Sequence, residues 1–150
     1  MDMADSAAVR SWRPLRVMIT VSLVVMIVQL FFGEIVSAVA VYPATSVQLN
    51  SFGDIISAMS SAAGAILLVH AFFGLIVFLS VLGTTVVALR YHKRSVTTAA
   101  VLSLVSTVLA VLGGYVWASS DFSNGGGILL MVNGALAAFG LLFLTLYYTK

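Results

Sequence analysis

The sequence predicts an all-α protein, a four-helix transmembrane bundle with both termini cytoplasmic, on three observations. Of its 150 residues 61% are hydrophobic and 8% charged, and the mean hydropathy of +1.15 lies outside the range of ordinary soluble domains. Four apolar runs, at about 15–42, 61–89, 97–118 and 128–149, each reach the roughly 20 residues that a spanning helix needs. All seven basic residues fall in three places: Arg10, Arg13 and Arg16 before the first run; Arg90, Lys93 and Arg94 between the second and third; Lys150 at the end. The segments at 43–60 and 119–127 carry none. Short loops rich in Lys and Arg stay on the cytoplasmic side. The chain is therefore expected to be one transmembrane domain over residues 1–150, multi-pass in the cytoplasmic membrane.

Each element has its own justification. The first helix is expected to begin near Pro14, because an early helical position loses no hydrogen bond to proline, and to end at Pro43. Its N-terminal arginines, followed by an apolar run and by Ala38-Val39-Ala40, imitate a signal peptide. The run is longer than the usual apolar region of about 7–15 residues, and Glu34 interrupts it, so a retained transmembrane helix is expected. In the following segment, Ile55, Ile56, Ala58 and Met59 predict a short interfacial helix. The second helix runs to Arg90, and Arg90–Arg94 form the inner turn. The third helix is expected from about Val96. Ser119–Gly127, with three consecutive glycines, reads as a flexible outer loop before the fourth helix. Trp12, Tyr91, Tyr147 and Tyr148 would then form an inner aromatic belt, and Tyr42, Tyr115, Trp117 and Phe122 an outer one.

The helices also read as two tandem pairs. Phe32-Gly33-Glu34-Ile35-Val36 parallels Leu112-Gly113-Gly114-Tyr115-Val116, and Leu68-Val69-His70-Ala71 parallels Met131-Val132-Asn133-Gly134. A parallel repeat about an axis along the membrane normal would relate them, making His70 and Asn133 equivalent.

Composition excludes several classes of function. The chain has no cysteine, which removes thiolate catalysis, iron–sulfur clusters and disulfide exchange. No basic stripe interleaved with aromatics points to nucleic acid, whereas a net charge of +2 gathered on one side points to anionic headgroups. No phosphate loop, nucleophile–base set or dinucleotide glycine pattern occurs.

Three polar side chains stand out within the apolar runs: Glu34, His70 and Asn133, all expected at outer-leaflet depth. Ionisable groups inside spans are rare and usually mark function. An imidazole in an apolar bundle can ligate haem iron, with Gly74, Gly64 and Gly113 making room for a flat macrocycle and Phe72, Phe73 and Met131 lining it. His70 can equally donate a hydrogen bond to a neighbouring helix, the glycines serving only close packing. Ser60 with Gly64, and Gly134 with Ala138, are small-residue pairs that packing alone explains. A carboxyl at the depth of Glu34 calls for protonation, water or a partner, and a Glu34–His70 pair would orient the ring. Asn133 suits structural hydrogen bonding, and His92, in the inner turn, a solvated site. The residues alone leave the haem and packing readings open.

Gln29-Leu30-Phe31-Phe32-Gly33-Glu34-Ile35-Val36, Val69-His70-Ala71-Phe72-Phe73-Gly74, Gly113-Gly114-Tyr115-Val116 and Val132-Asn133-Gly134-Ala135-Leu136-Ala137 together resemble one four-helix half of the haem A synthase family. Four-helix membrane b-type cytochromes share this general design. The resemblance implies a bundle with histidines on its second and fourth helices near the outer side. His70 matches the first of these, Asn133 stands where the second would be, and Glu34 lies near a carboxylate position of the first helix. With the fold of haem-binding four-helix cytochromes, the leading reading is an integral membrane subunit of a respiratory-type electron-transfer complex rather than an enzyme on its own, a point the sequence leaves open. Such a subunit would bind one b-type haem through His70, with Glu34, Asn133, Gly74 and Gly113 around it. A haem-modifying or quinol-oxidising membrane enzyme is one alternative, and a purely structural accessory subunit without cofactor is another. A small transporter or channel is a further reading, with only Glu34 and His70 to line a path. The expected partners are the lipid bilayer and other hydrophobic membrane subunits or further copies of the chain, with no nucleic acid.

Overall fold

The computed structural model describes residues 11–39, 51–59, 65–120 and 125–150. Among them every regular element is helical: α1 Arg13–Val39, α2 Phe52–Met59, α3 Ala65–Leu89, α4 Arg94–Ser119 and α5 Gly125–Tyr147. Four of these, α1, α3, α4 and α5, are long and apolar enough to cross a membrane. At about 1.5 Å rise per residue, even the 23 residues of α5 exceed a hydrocarbon core of about 30 Å.

The helix ends depart from the hydropathy boundaries in an instructive way. Helix α1 begins at Arg13 with Pro14 in its first turn, as the proline implies. Helix α4 begins at Arg94, earlier than expected, because the hydrogen-bonded backbone continues into the polar interface where the hydropathy signal has already stopped. Helix α5 takes in Gly125–Gly127, which reads as flexible loop in the sequence. Gly127 is buried there: a Cβ on it would lie 2.7 Å from Trp117 N, so the glycine gives α5 its approach to α4. The expected stop at Tyr42–Pro43, the Ser60–Gly64 pair and Phe122 lie outside the described residues.

The expected short helix exists as α2, and a cap starts it. Ser51 Oγ accepts from the Asp54 N–H (3.1 Å), and Asp54 Oδ2 accepts in return from the Ser51 N–H (2.9 Å). This reciprocal pair satisfies two donors that a helix start would leave bare.

The four long helices form a ring in the order α1, α3, α4, α5, with α5 closing back on α1. The main core lies toward the end that holds Trp12, Tyr91 and Tyr148. Leu15, Ile19, Leu23 and Met26 of α1 recur at helical spacing and pack with Val77, Val81 and Ala88 of α3, Val96 and Ala100 of α4, and Ala138 and Leu142 of α5. A smaller cluster of Val36, Leu67 and Ala118 lies toward the opposite end.

Every neighbouring pair in the ring also carries a polar link. Ser22 Oγ and Thr84 Oγ1 lie 2.9 Å apart between α1 and α3. Thr85 Oγ1 donates to Ala100 O (3.1 Å) between α3 and α4, and Ser103 Oγ to Ala138 O (3.1 Å) between α4 and α5. Arg16 donates to the Thr149 carbonyl, joining α1 to the end of α5. Lys93 Nζ donates to Tyr148 O at the same place. Two cations thus satisfy carbonyls that a helix C-terminus leaves unpaired, where positive charge is also favoured by the helix dipole. Trp12 stacks on Tyr91 with ring centroids 4.5 Å apart, and Tyr91 donates its hydroxyl hydrogen to Ser11 O (2.8 Å). Trp12, Tyr91, Tyr147 and Tyr148 therefore gather at one end of the bundle. His92 is exposed in the turn between α3 and α4, as the sequence implies, and adopts φ 52°, a left-handed conformation there.

Candidate functional site

His70 lies on α3, five residues after Ala65, and its half-buried ring meets α1. Gln29 Nε2 donates to the His70 carbonyl oxygen (3.1 Å). The same nitrogen lies 3.1 Å from Nε2 and 3.3 Å from Nδ1 of the imidazole, so the unprotonated ring nitrogen accepts its second hydrogen. Two glycines make this arrangement possible. A Cβ on Gly33 would lie 3.3 Å from His70 Cε1, and a Cβ on Gly74 3.4 Å from Gln29 Nε2. Gly33 seats the ring, and Gly74, one turn after His70, admits the amide. Phe32 of α1 and Phe73 of α3 stack across the same pair of helices with ring centroids 4.9 Å apart. Gln29 Oε1 is buried with no hydrogen-bond partner among the described residues; the amide spends its donors on histidine and leaves its acceptor unused.

The structure does not bring the three singled-out polar residues together. Glu34 is exposed on the outer face of α1, beside Phe31 (67% exposed), and makes no pair with His70. Its backbone carbonyl accepts from Ser37 Oγ (2.8 Å). Asn133 is also exposed and donates to Leu129 O of its own helix (2.8 Å), a local bond that needs no neighbour. It lies on α5, diagonally across the ring from α3. Gly113, expected beside a cofactor, is instead buried against α5: a Cβ there would meet Met131 N at 2.5 Å and Gly127 O at 2.7 Å. Phe72 points outward, 61% exposed.

The surroundings expected for a haem at His70 are not assembled: Gln29 Nε2 lies within hydrogen-bond reach of the ring nitrogens, so the imidazole as it stands is tied to α1. The glycine space at Gly113 is filled by backbone, and Asn133 is turned away. Among the described residues no three His, Asp or Glu side chains gather to hold a metal ion.

Gln29 is the functional-looking residue that sequence reasoning misses. Its signal is a lone amide in an otherwise apolar stretch, one turn before Gly33. The buried hydroxyls of Ser22, Thr84, Thr85 and Ser103 are likewise passed over, since serine and threonine are common enough in apolar helices to draw no notice. No protein-family model matches this chain, and comparison with curated proteins and with solved structures found no match either.

Proposed function

We propose that this chain is a multi-pass membrane protein whose basic end faces the cytoplasm. In this reading it serves as a non-catalytic subunit that binds a neighbouring membrane protein in a respiratory-type complex. Arg13, Arg16, Lys93, Arg94 and Lys150 lie toward one end of the helices, and the positive-inside rule assigns that end to the cytoplasm. The electron-transfer setting rests on the resemblance to a haem A synthase half.

The observation that carries the subunit reading is the exposed carboxyl of Glu34. It stands on an apolar strip of α1 with Ile27 (53% exposed) and Phe31. A charged side chain on a lipid-facing surface costs a few kcal/mol, by insertion measurements about 2.5–3.5 at the centre of a span. A partner helix offering a basic or hydrogen-donating side chain at that level removes the cost. Two copies of this chain would bring two carboxyls together, which favours a different protein as partner. The imidazole belongs to the internal hydrogen bonding of the bundle in this reading, and no haem is held.

Two measurements test it. A photo-crosslinking residue at position 31 should trap a second membrane protein, and Glu34→Ala should release the detergent-extracted chain from its larger assembly without loss of helicity. A wild-type chain that stays monomeric in mild detergent removes the subunit reading. A Soret band in the purified protein, lost in His70→Ala, would replace it with a cytochrome.

A further inference from the structure

The seam between α4 and α5 opens near the basic end into a groove of about 530 Å³, within the usual range of small-molecule sites, roughly 300–1,000 Å³. Its chemistry is graded along the helix. Arg94, Ser95, Thr98 and Tyr148 stand toward one end of its lining, Leu102 and Leu141 at the other, and Leu144 between them. Arg94, Thr98 and Leu102 recur at four-residue spacing, so they line one face of α4. Leu102 lies about 12 Å along the axis from Arg94 at about 1.5 Å per residue. Arg94 is exposed and has no ion-pair or hydrogen-bond partner for its guanidinium among the described residues. The neighbouring Lys93, by contrast, is engaged with Tyr148 O and lies 5.6 Å from the Trp12 ring centroid. The groove floor is open because Ala99 places only a methyl group between the two helices.

We propose that this groove is a binding site for one anionic phospholipid, its phosphate held by Arg94, Ser95 and Thr98 and an acyl chain lying along Leu102, Leu141 and Leu144. Charge complementarity selects the occupant. The planar guanidinium presents paired donors that match a phosphate, two hydroxyls add donors, and leucines continue in the direction an acyl chain would take from an interfacial headgroup. A related grading occurs on α1, where a second groove of about 480 Å³ has Arg13 and Arg16 with Val17 and Val21 further along, although Arg16 already donates to the Thr149 carbonyl. A soluble phosphate would satisfy the arginine but would leave the leucine wall without an occupant.

The site rests on the membrane reading proposed above, and the test separates the two. The full chain is reconstituted in bilayers of phosphatidylcholine, with or without phosphatidylglycerol, and retained lipid is counted by native mass spectrometry. Phosphatidylglycerol should be retained over phosphatidylcholine. A charge-assisted hydrogen bond is worth about 1.5–3 kcal/mol, so Arg94→Gln should weaken that retention at least about tenfold, while Arg94→Lys keeps part of it. If Arg94→Gln does not fold, Thr98→Val removes a donor at constant shape and should show a smaller loss. Equal retention of the two lipids by the wild type, or unchanged preference in folded Arg94→Gln, overturns the site. So does full displacement of the retained phosphatidylglycerol by added inorganic phosphate, which would make the ligand a free anion. Failure of the wild type to insert as helices into any bilayer would sink the membrane reading itself, a result distinct from loss of lipid preference.

Discussion

Between α1 and α3 the contact is made by side chains; between α4 and α5 it is made by backbone. In the first pair, Gly33 receives the His70 ring, Gly74 the Gln29 amide and Gly83 the Met18 methyl, each glycine making space for a neighbour's side chain. In the second, Cβ atoms on Gly113, Gly127 and Gly134 would each fall within 2.8 Å of main-chain atoms across the interface. The sequence correspondence of Gly33 with Gly113 and of His70 with Asn133 runs across this difference. Where a ring fills the glycine's space, the polar residue lies between helices. Where the opposing backbone fills it, no room remains, and Asn133 turns outward to the Leu129 carbonyl of its own helix. Small residues thus do two jobs in one bundle, and without a hydrophobic drive between helices in lipid, both depend on close packing.

The largest effect should come from breaking the backbone contact. In Gly113→Ala or Gly134→Ala the new methyl meets main chain that cannot rotate away, and overpacking of this kind costs about 1–3 kcal/mol or more. Unfolding in mixed micelles should show it, and an unchanged midpoint would mean the interface is looser than described. The side-chain contact should be weaker. A double-mutant cycle on Gln29→Ala and His70→Ala should give a coupling of about 0.6 kcal/mol, with an upper bound near 1.7. No coupling would place the amide elsewhere.

Gly33→Ala comes next, because its Cβ would sit 3.3 Å from a movable ring rather than from backbone. A loss below about 1 kcal/mol is expected, within the ordinary range for a single mild change, and a larger one would put Gly33 in the same class as Gly113. The smallest effect belongs to Asn133→His, which restores a histidine pattern on paper. Because position 133 faces outward, stability should change by no more than about 0.5 kcal/mol and the visible absorption spectrum should stay flat. A new Soret band would show that α5 can turn, and would revive the cofactor reading.

The candidate site was legible only in part. His70 draws attention through its rarity in an apolar run, and Gly74 through its spacing from it, whereas Gly33, on another helix, does not. Gln29 does not stand out, because nothing in the one-dimensional pattern says that positions 29 and 70 share a level. The pairing of Glu34 with His70, and the place of Gly113 beside a macrocycle, are reasonable from depth alone but fail on rotation: each helix can turn about its axis without changing the depth of any residue. The loop reading of Gly125–Gly127 fails for a related reason, since glycine run and tight helical approach use the same residue type.

Four helices long and apolar enough to span a membrane, the clustering of the described basic residues beside the same helix ends and the short helix between the first two followed from the sequence alone, because length, hydropathy and charge are properties of segments. Which faces meet, whether a glycine admits a ring or a backbone, and that Gln29 rather than Glu34 reaches His70 were decided only by tertiary structure. Helices that are apolar on all sides carry almost no amphipathic signal to set their rotation, and in lipid that rotation is chosen by the fit of small residues and a few hydrogen bonds.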